Sequence, residues 1–314
     1  MMKHHQQEPI SGKIQEKDIK RAVSDTICKI LEGDTLGKDV SEKILARAKG
    51  LPERLFYYHS AIRLMPMAKK EIEKTTMSGR SFYACACWWA EYLTKARGRL
   101  TRTWWAPAGG LYQCIALYCQ LLPENRQLYS LAAGLSVCQA LRELGIPAEI
   151  RWINDILASG KKICGILSET VNANNLSETY LLFGIGLNVN TKDFLPELRS
   201  KSTSMFIESG RNWSVLEVGI KVLARLIYNF SLLHQWEASC LESDTPFSER
   251  ENPIITAYQR LSGLSGRKIL YGRDLENQDG TLCVSRGISN DGSLILEENG
   301  TIFKVNTGEI RFVG

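Results

Sequence analysis

Between an apolar run at Cys85-Ala86-Cys87-Trp88-Trp89-Ala90 and another at Leu111–Tyr118, the chain carries Arg97-Gly98-Arg99-Leu100-Thr101-Arg102-Thr103-Trp104-Trp105-Ala106-Pro107. The two flanking runs read as buried strands. A basic connector between buried strands is held at the mouth of a sheet, where ligands bind. Each arginine presents a rigid fork of donors that matches phosphate oxygens in pairs. Gly98 is expected to let the backbone bend between two of them. The indoles beside the cluster offer a flat apolar wall for a nucleobase or an apolar acid. On composition alone, solvated surface charge explains such a cluster about as well. The strand on either side is what favours a loop that holds a nucleotide phosphate and an anionic partner together.

The rest of the chain alternates helix and strand patterns. Residues 1–52 form a charged lead in which Ile19, Val23, Ile27 and Ile30 recur at helical spacing, until Gly33-Asp34 and Gly37 interrupt it. This lead is expected to be a helical extension; no helix-turn-helix stands out in it. A helix is expected from near Pro66 through Lys74. Leu128, Leu131, Leu135, Cys138, Leu141 and Leu144 trace one face of another, closed by Gly145 and Pro147. Ala148–Trp152 reads as a strand, and residues 150–169 as a hairpin-like pair turning at Ser159-Gly160, with Lys161 and Lys162 near its tip. Tyr180–Gly186 is a further strand, and Val215 through Leu233 a long amphipathic helix. From Ser265 short strands follow closely, punctuated by Asp279-Gly280, Asp291-Gly292 and Asn299-Gly300 as tight turns. The fold class is α+β: a mixed sheet packed with helices, then a small barrel of the SH3-like kind.

A chain of 314 residues has room for about two domains. Its net charge of +5 permits attraction to nucleotides or acidic proteins without implying DNA. The nine cysteines lie scattered, with no Cys-x-x-Cys pair, which favours reduced thiols and a cytoplasmic setting over a disulfide framework. No apolar run approaches the roughly twenty residues of a membrane helix. No metal-ligand cluster is evident, so no protein metal site is expected.

Four blocks in order carry a resemblance. The stretch from Ala90-Glu91-Tyr92 through Arg97-Gly98-Arg99, Arg102, Trp104 and Pro107 resembles the biotin protein ligase family, whose loop reads Gly-Arg-Gly-Arg and closes with Trp and Ser-Pro. Arg151-Trp152-Ile153-Asn154-Asp155 is similar to that family's Lys-Trp-Pro-Asn-Asp. Lys161-Lys162-Ile163-Cys164-Gly165-Ile166-Leu167-Ser168-Glu169 resembles its Lys-x-x-Gly-Ile-Leu-x-Glu. Gly184-Ile185-Gly186-Leu187-Asn188-Val189-Asn190 follows, trailed by Ser202-Thr203-Ser204. The resemblance covers roughly residues 55–314 and implies a ligase catalytic domain over 53–262 and an SH3-like β domain over 263–314.

It further implies a two-step reaction. A carboxylate attacks the α-phosphate of ATP, releasing pyrophosphate, and a lysine of a carrier protein (a biotin carboxyl carrier type) then displaces AMP. Catalysis of this kind rests on positioning and on charge stabilisation away from water. By resemblance, Lys162, Arg97 and Asp155 are catalytic. Arg97, Arg99, Arg102, Trp104, Asn154 and Asn188 hold the nucleotide, with Asn188 reading the adenine edge. The acid is held by Arg63, Leu64, Leu93, Ala96, Gly98, Lys162, Gly165 and Gly184. Mg2+ accompanies ATP, bridged by phosphates and waters. A homodimer is an assembly left open. Taken without the motif, Lys162 is a surface lysine, Asn154-Asp155 a turn pair, Trp104 core, and the glycines strand bulges.

The departures cluster on one side. The family's Ser-Thr-Asn stretch, which holds the ureido head of biotin, corresponds to Arg63-Leu64-Met65. A glutamine is replaced by Leu93, the loop's first glycine by Ala96, the serine before Pro107 by Ala106, and the proline before Asn154 by Ile153. A buried urea left without partners costs about 1–3 kcal/mol per lost contact. Three readings follow: a biotin ligase that reads the ureido group with other residues such as Ser60; a paralogue that activates another small acid for another acceptor; or a catalytically silent binding protein. Keeping Arg97, Arg99, Lys162, Asn154 and Asp155 together disfavours the third.

Overall fold

The computed structural model describes residues 15–173, 178–244 and 247–313. In chain order its first elements are α1 Glu16–Glu32, α2 Lys38–Ala48, β1 Arg54–Ala61, α3 Leu64–Met77, β2 Cys85–Leu93 and β3 Leu111–Tyr118. Then come α4 Leu128–Glu143, β4 Ala148–Arg151, β5 Asp155–Ala158, β6 Lys161–Asn172, β7 Thr179–Leu187, α5 Met205–Ser209 and α6 Val215–Leu241. The chain ends with α7 Pro253–Ser262, β8 Lys268–Gly272, β9 Thr281–Ile288, β10 Leu294–Glu298, β11 Thr301–Val305 and β12 Glu309–Phe312. Two compact units result. One comprises Met1–Asp34, Ala48–Cys119 and Lys161–Ala224; the other comprises Thr35–Arg47, Gln120–Gly160 and Arg225–Gly314.

In the first unit the strands lie in the order β1-β2-β3-β7-β6. β1 runs parallel to β2, and the other pairings are antiparallel. Alternation along these strands puts Trp88, Ala90, Tyr112, Cys114 and Leu182 on one face, where Leu64, Ala68 and Ile72 of α3 cover them. Trp89 and Leu111 point to the other face and meet Gly219 of α6 so closely that a Cβ there would overlap both. The absence of a side chain at Gly219 is what lets the helix lie on the tryptophan. Trp88, Trp89 and Tyr112 are almost wholly buried, each worth about 1.5–3 kcal/mol or more of apolar burial. The helical lead belongs to this unit through α1, which buries Ile19, Val23, Ile27 and Ile30. Glu16 anchors it to β1, accepting from the Leu55 amide at 3.0 Å and pairing with Arg54 at 3.6 Å.

The second unit holds α4, which the periodicity predicts as amphipathic. It is instead buried on nearly every side, including Tyr129, Ala133, Ser136 and Val137 as well as the leucines. Its polar groups are satisfied internally: Asn229 of α6 donates to Ser136 Oγ and Gln139 Oε1, both at 2.8 Å. Gly145 closes the helix at φ +81°. Residues 148–169 form three strands rather than one pair, because the chain turns first at 152–154 and again at Ser159-Gly160. α7 is capped by Asn252, whose Oδ1 accepts from the Ile254 and Ile255 amides. The C-terminal strands form an antiparallel sheet in the order β11-β10-β9-β8-β12, the SH3-like module expected. Asn299-Gly300 makes a tight turn with φ +49° and +82°. Asp279-Gly280 does not: the β8–β9 connection is the longer segment 273–280, folded around Asp274. Among the described residues no helix is long and apolar enough to cross a membrane.

Candidate active site

The basic connector folds back on itself as a narrow hairpin. Leu93 N donates to Ala106 O at 3.2 Å and Trp104 N to Ala96 O at 3.1 Å. Arg97 bridges Thr103, and Gly98 N donates to Arg102 O at 2.8 Å. The bend comes at Leu100, which takes the left-handed conformation at φ 52°, ψ 34°. Gly98, expected to provide it, has an extended backbone at φ −100°, with the Arg102 carbonyl oxygen in ordinary contact, 3.9 Å from where a Cβ would stand. The expectation fails because the hairpin places its tip two residues beyond the glycine.

The hairpin lays Trp104 on the sheet. Its indole lies over Gly186 of β7, where an added Cβ would meet Nε1 at 2.7 Å and Cε2 at 2.9 Å. Gly165 of β6 is the cross-strand partner of Gly186, and a Cβ on it would meet the same ring at 3.2 Å. The β6–β7 register runs unbroken from Cys164 to Asn172, so these glycines are not bulges. They form a floor without side chains, on which a flat ring can rest. Lys162 completes the group: its Nζ stands 5.4 Å from the Trp104 ring centre and 3.4 Å from the Cβ position of Gly165. An ammonium over an indole face is attracted by the ring quadrupole. Trp104 Nε1 is shielded from solvent and has no hydrogen-bond partner among the described residues. Buried donors of that kind call for a partner.

Two residues along β7, Gly184 faces the same side as Gly186, and Met65 of α3 lies against it, with Sδ 2.7 Å from the Cβ position. Leu64 is buried, while Met65, Leu93 and Trp104 are partly buried against the same apolar cluster as Ala96 and Ala106. The result is a trough on one sheet face. It has a glycine floor, an indole and an ammonium over one end, and a thioether over the other.

A strap behind the trough fixes Lys162. Its backbone N donates to Lys201 O at 2.9 Å, and its O accepts from Thr203 N at 3.0 Å. Asn188 N donates to Ile163 O at 2.9 Å, and Met205 N to Asn188 O at 3.0 Å. The Asn188 side chain is 3% exposed and donates to Thr203 O at 3.0 Å, so its amide serves the strap. Thr203 Oγ1 in turn donates to Glu208, and Ser204 caps α5. The trailing Ser202-Thr203-Ser204 block therefore has a definite part: it ties the strand bearing Lys162 to the end of β7.

The remaining expected residues are distributed as follows. Arg97 is exposed on the hairpin, and Arg99 and Arg102 are half-buried. Arg63 stands at the N-cap of α3 and is half-buried. Asn154 and Asp155 belong to the second unit, where Asp155 accepts from Arg151 Nη2 at 2.6 Å. The structure thus gathers Trp104, Lys162 and Gly165 around one point, with Gly184 beneath Met65 farther along β7; Leu64 is part of the apolar cluster that Met65, Leu93 and Trp104 pack against. Gly186 and Met65 join them: the first belongs to the Gly184-Ile185-Gly186 block, and the second to the stretch that corresponds to the family's ureido-holding segment. The sheet thiols are not nucleophiles: burial, with Glu53 nearby, pushes Cys85 up to about 12, and burial raises Cys114 further.

The sequence profile described as Biotin/lipoate A/B protein ligase family matches residues 87–189, the span from β2 to just past β7. The bifunctional ligase/repressor BirA of Bacillus subtilis is 29% identical over 228 residues, covering 70% of this chain and 64% of that protein. The biotin–[acetyl-CoA-carboxylase] ligase of Mycobacterium tuberculosis is 28% identical over 229 residues, covering 70% of this chain and 76% of that one. A solved structure, the biotin protein ligase from Aquifex aeolicus in complex with biotin and ATP, shares the fold. Its TM-score is 0.65 at 24% identity, over 83% of this chain and 99% of that chain. The match thus spans just under two thirds, 64%, of the B. subtilis relative's length.

Proposed function

Because the chain belongs to the biotin/lipoate A/B protein ligase family, we propose that it activates a carboxylic acid with ATP and passes the acyl group to a lysine of a carrier protein. Biotin is the acid to which the relatives' names point. In the first step a carboxylate oxygen bonds to the α-phosphorus, and the bond to the bridging oxygen of pyrophosphate breaks. In the second the carrier's amine adds to the acyl carbon, loses a proton, and AMP leaves with the electron pair of the ester bond.

The observation that carries this reading is the Lys162 ammonium held over Trp104 above Gly165 and Gly186. Adenylation needs positive charge where the carboxylate and the α-phosphate meet, in a place that excludes water. Lys162 supplies that charge on a strand whose backbone is tied down on both sides of the residue. Trp104 presents a flat wall and an unpaired N–H to the acyl adenylate. Arg97, Arg99 and Arg102, on the same hairpin as Trp104, take the phosphate oxygens as paired donors. Magnesium would enter with the triphosphate, because the trough offers cations and hydrocarbon, and among the described residues no cluster of carboxylates, histidines or cysteines is placed to hold a metal ion.

Exchange of labelled pyrophosphate into ATP tests the first step. Acid-dependent exchange that falls by at least about tenfold in Lys162→Ala, with the melting temperature unchanged, is the expected result. An unchanged rate in that variant would remove Lys162 from the site. Absence of exchange with every acid tried would overturn adenylation itself.

A further inference from the structure

We propose that Asn190 is a positioning residue of this site: its side-chain amide clamps shut the strap, residues 191–212, whose backbone holds Lys162. The inference rests on the adenylation reading, and it adds what keeps the reacting ammonium in place. Asn190 lies just beyond the end of β7 and is half-buried. Its Nδ2 donates to Trp213 O at 2.9 Å, and its Oδ1 accepts from Trp213 N at 2.8 Å. Its backbone N donates to Gly109 O at 2.9 Å, at the foot of the arginine hairpin. A primary amide carries a donor and an acceptor side by side, as a peptide group does, so it can join both backbone groups of one residue at once. Here that residue is the returning end of the strap, where α6 is about to begin.

The clamp reaches Lys162 through a chain of contacts. Trp213 Nε1 donates to Ser209 Oγ at 2.9 Å, at the C-terminal end of α5, and Arg211 stacks on the same indole at 3.9 Å. The other end of α5 is tied to the outgoing limb: Ser204 Oγ donates to Thr191 O at 2.5 Å, and Phe206 N to Val189 O at 2.8 Å. Glu208 of α5 accepts from Thr203 Oγ1 at 2.6 Å. Lys201 and Thr203 then hold the Lys162 backbone, one at its N–H and one at its carbonyl. A helix as short as α5 has no stability of its own in water, so its place depends on these ties. Joining the two ends of a loop removes freedom that the segment between them would otherwise keep. The Lys162 ammonium sits on a flexible four-carbon stem, so a fixed backbone is the first condition for a fixed charge. Aspartate at position 190 would set a second acceptor against the Trp213 carbonyl, and alanine would make neither bond.

The test compares the full wild-type chain with Asn190→Ala and the near-isosteric Asn190→Asp. Pyrophosphate exchange is measured with ATP and biotin, and with ATP and lipoic acid. Trypsin supplies a readout that does not depend on turnover, because Lys192, Arg199, Lys201 and Arg211 are exposed cleavage points on the strap itself. In both variants kcat for exchange is expected to fall about tenfold while KM for acid and ATP moves less than about threefold, since a displaced Lys162 is missed most in the transition state. Cleavage after those four residues is expected to speed up about tenfold, with the melting temperature held. Faster cleavage at an unchanged kcat would overturn the inference, because the clamp would then hold the strap without positioning Lys162. A fall in kcat matched by a fall in melting temperature in both variants would overturn it as well, in favour of general loosening. Wild-type exchange and wild-type protection in both variants would remove the clamp altogether. Silence of the wild type with both acids would overturn the adenylation reading, and this inference with it.

Discussion

Replacing Gly186 with Ala adds one methyl group and tests the geometry of the trough directly. The backbone at Gly186 is not among the left-handed glycines, so alanine brings no conformational strain of its own. What it brings is a collision. Its Cβ would stand 2.7 Å from Trp104 Nε1, 2.9 Å from Cε2 and 3.3 Å from Cδ1. Those atoms belong to a rigid ring, and no flexible tip is available to swing away. To restore ordinary contact the indole has to lift by about 0.5–1 Å, and overpacking of this kind costs about 1–3 kcal/mol. Lys162 rests on the same ring and moves with it. A misplacement near 1 Å lowers a positioned reaction by about a hundredfold, so a loss of about ten- to a hundredfold in adenylate formation is expected. The assay is the initial pyrophosphate-exchange rate at saturating ATP and acid, with urea unfolding on the same samples. Gly184→Ala is the comparison for the packing argument: its Cβ meets the flexible end of Met65, so stability should fall far less. If Gly186→Ala exchanges at the wild-type rate, or if the two alanine variants lose the same stability, the reasoning from the glycine floor is wrong.

Other consequences can be checked separately. Trp104→Phe keeps a flat wall but removes the buried N–H; it should weaken adenylate binding while leaving the fold intact, and unchanged affinity in a titration with a non-hydrolysable acyl-adenylate analogue would count against a role for that donor. Gly219→Ala drives a methyl group into Trp89 and Leu111 and should lower stability by about 1–3 kcal/mol or more in urea melts, with no specific effect on substrate affinity. His234 is held down to about 4 from 6.5, first by burial and then by Arg47, while its Nε2 meets Tyr129 OH at 2.5 Å. The unfolded chain therefore takes up the proton more readily. Stability contributed by neutral His234 is complete above about pH 6.5 and is lost as the pH falls towards 4, by up to about 3 kcal/mol. His234→Gln should flatten that part of the stability–pH profile, and an unaltered slope would refute the assignment.

Local pattern was enough to place most of the elements. The strand at Leu111–Tyr118 is present over the expected residues, and Gly145 ends α4 where a left-handed C-terminal glycine is called for. The turn at Asn299-Gly300 follows from the backbone demand of a two-residue hairpin. These features depend on chemistry within a few residues, which the sequence displays directly. Local reading went astray where neighbours outvoted it. The connector bends at Leu100 and not at Gly98, because its hydrogen-bond register sets the tip. α4 is buried on nearly all sides because α6 supplies partners for its polar groups.

The amino-acid sequence by itself determined which residues are apolar, which are charged, and where the chain must turn, and so it specified the strands, the helices and the family likeness. Tertiary structure alone decided that Gly165 stands opposite Gly186, that Trp104 lies over both, that Lys162 rests on the indole, and that Met65 leans on Gly184. The reason is cross-strand register. Residues far apart in the chain become neighbours only when whole strands pair, and a shift of one residue would turn every one of these side chains to the opposite face.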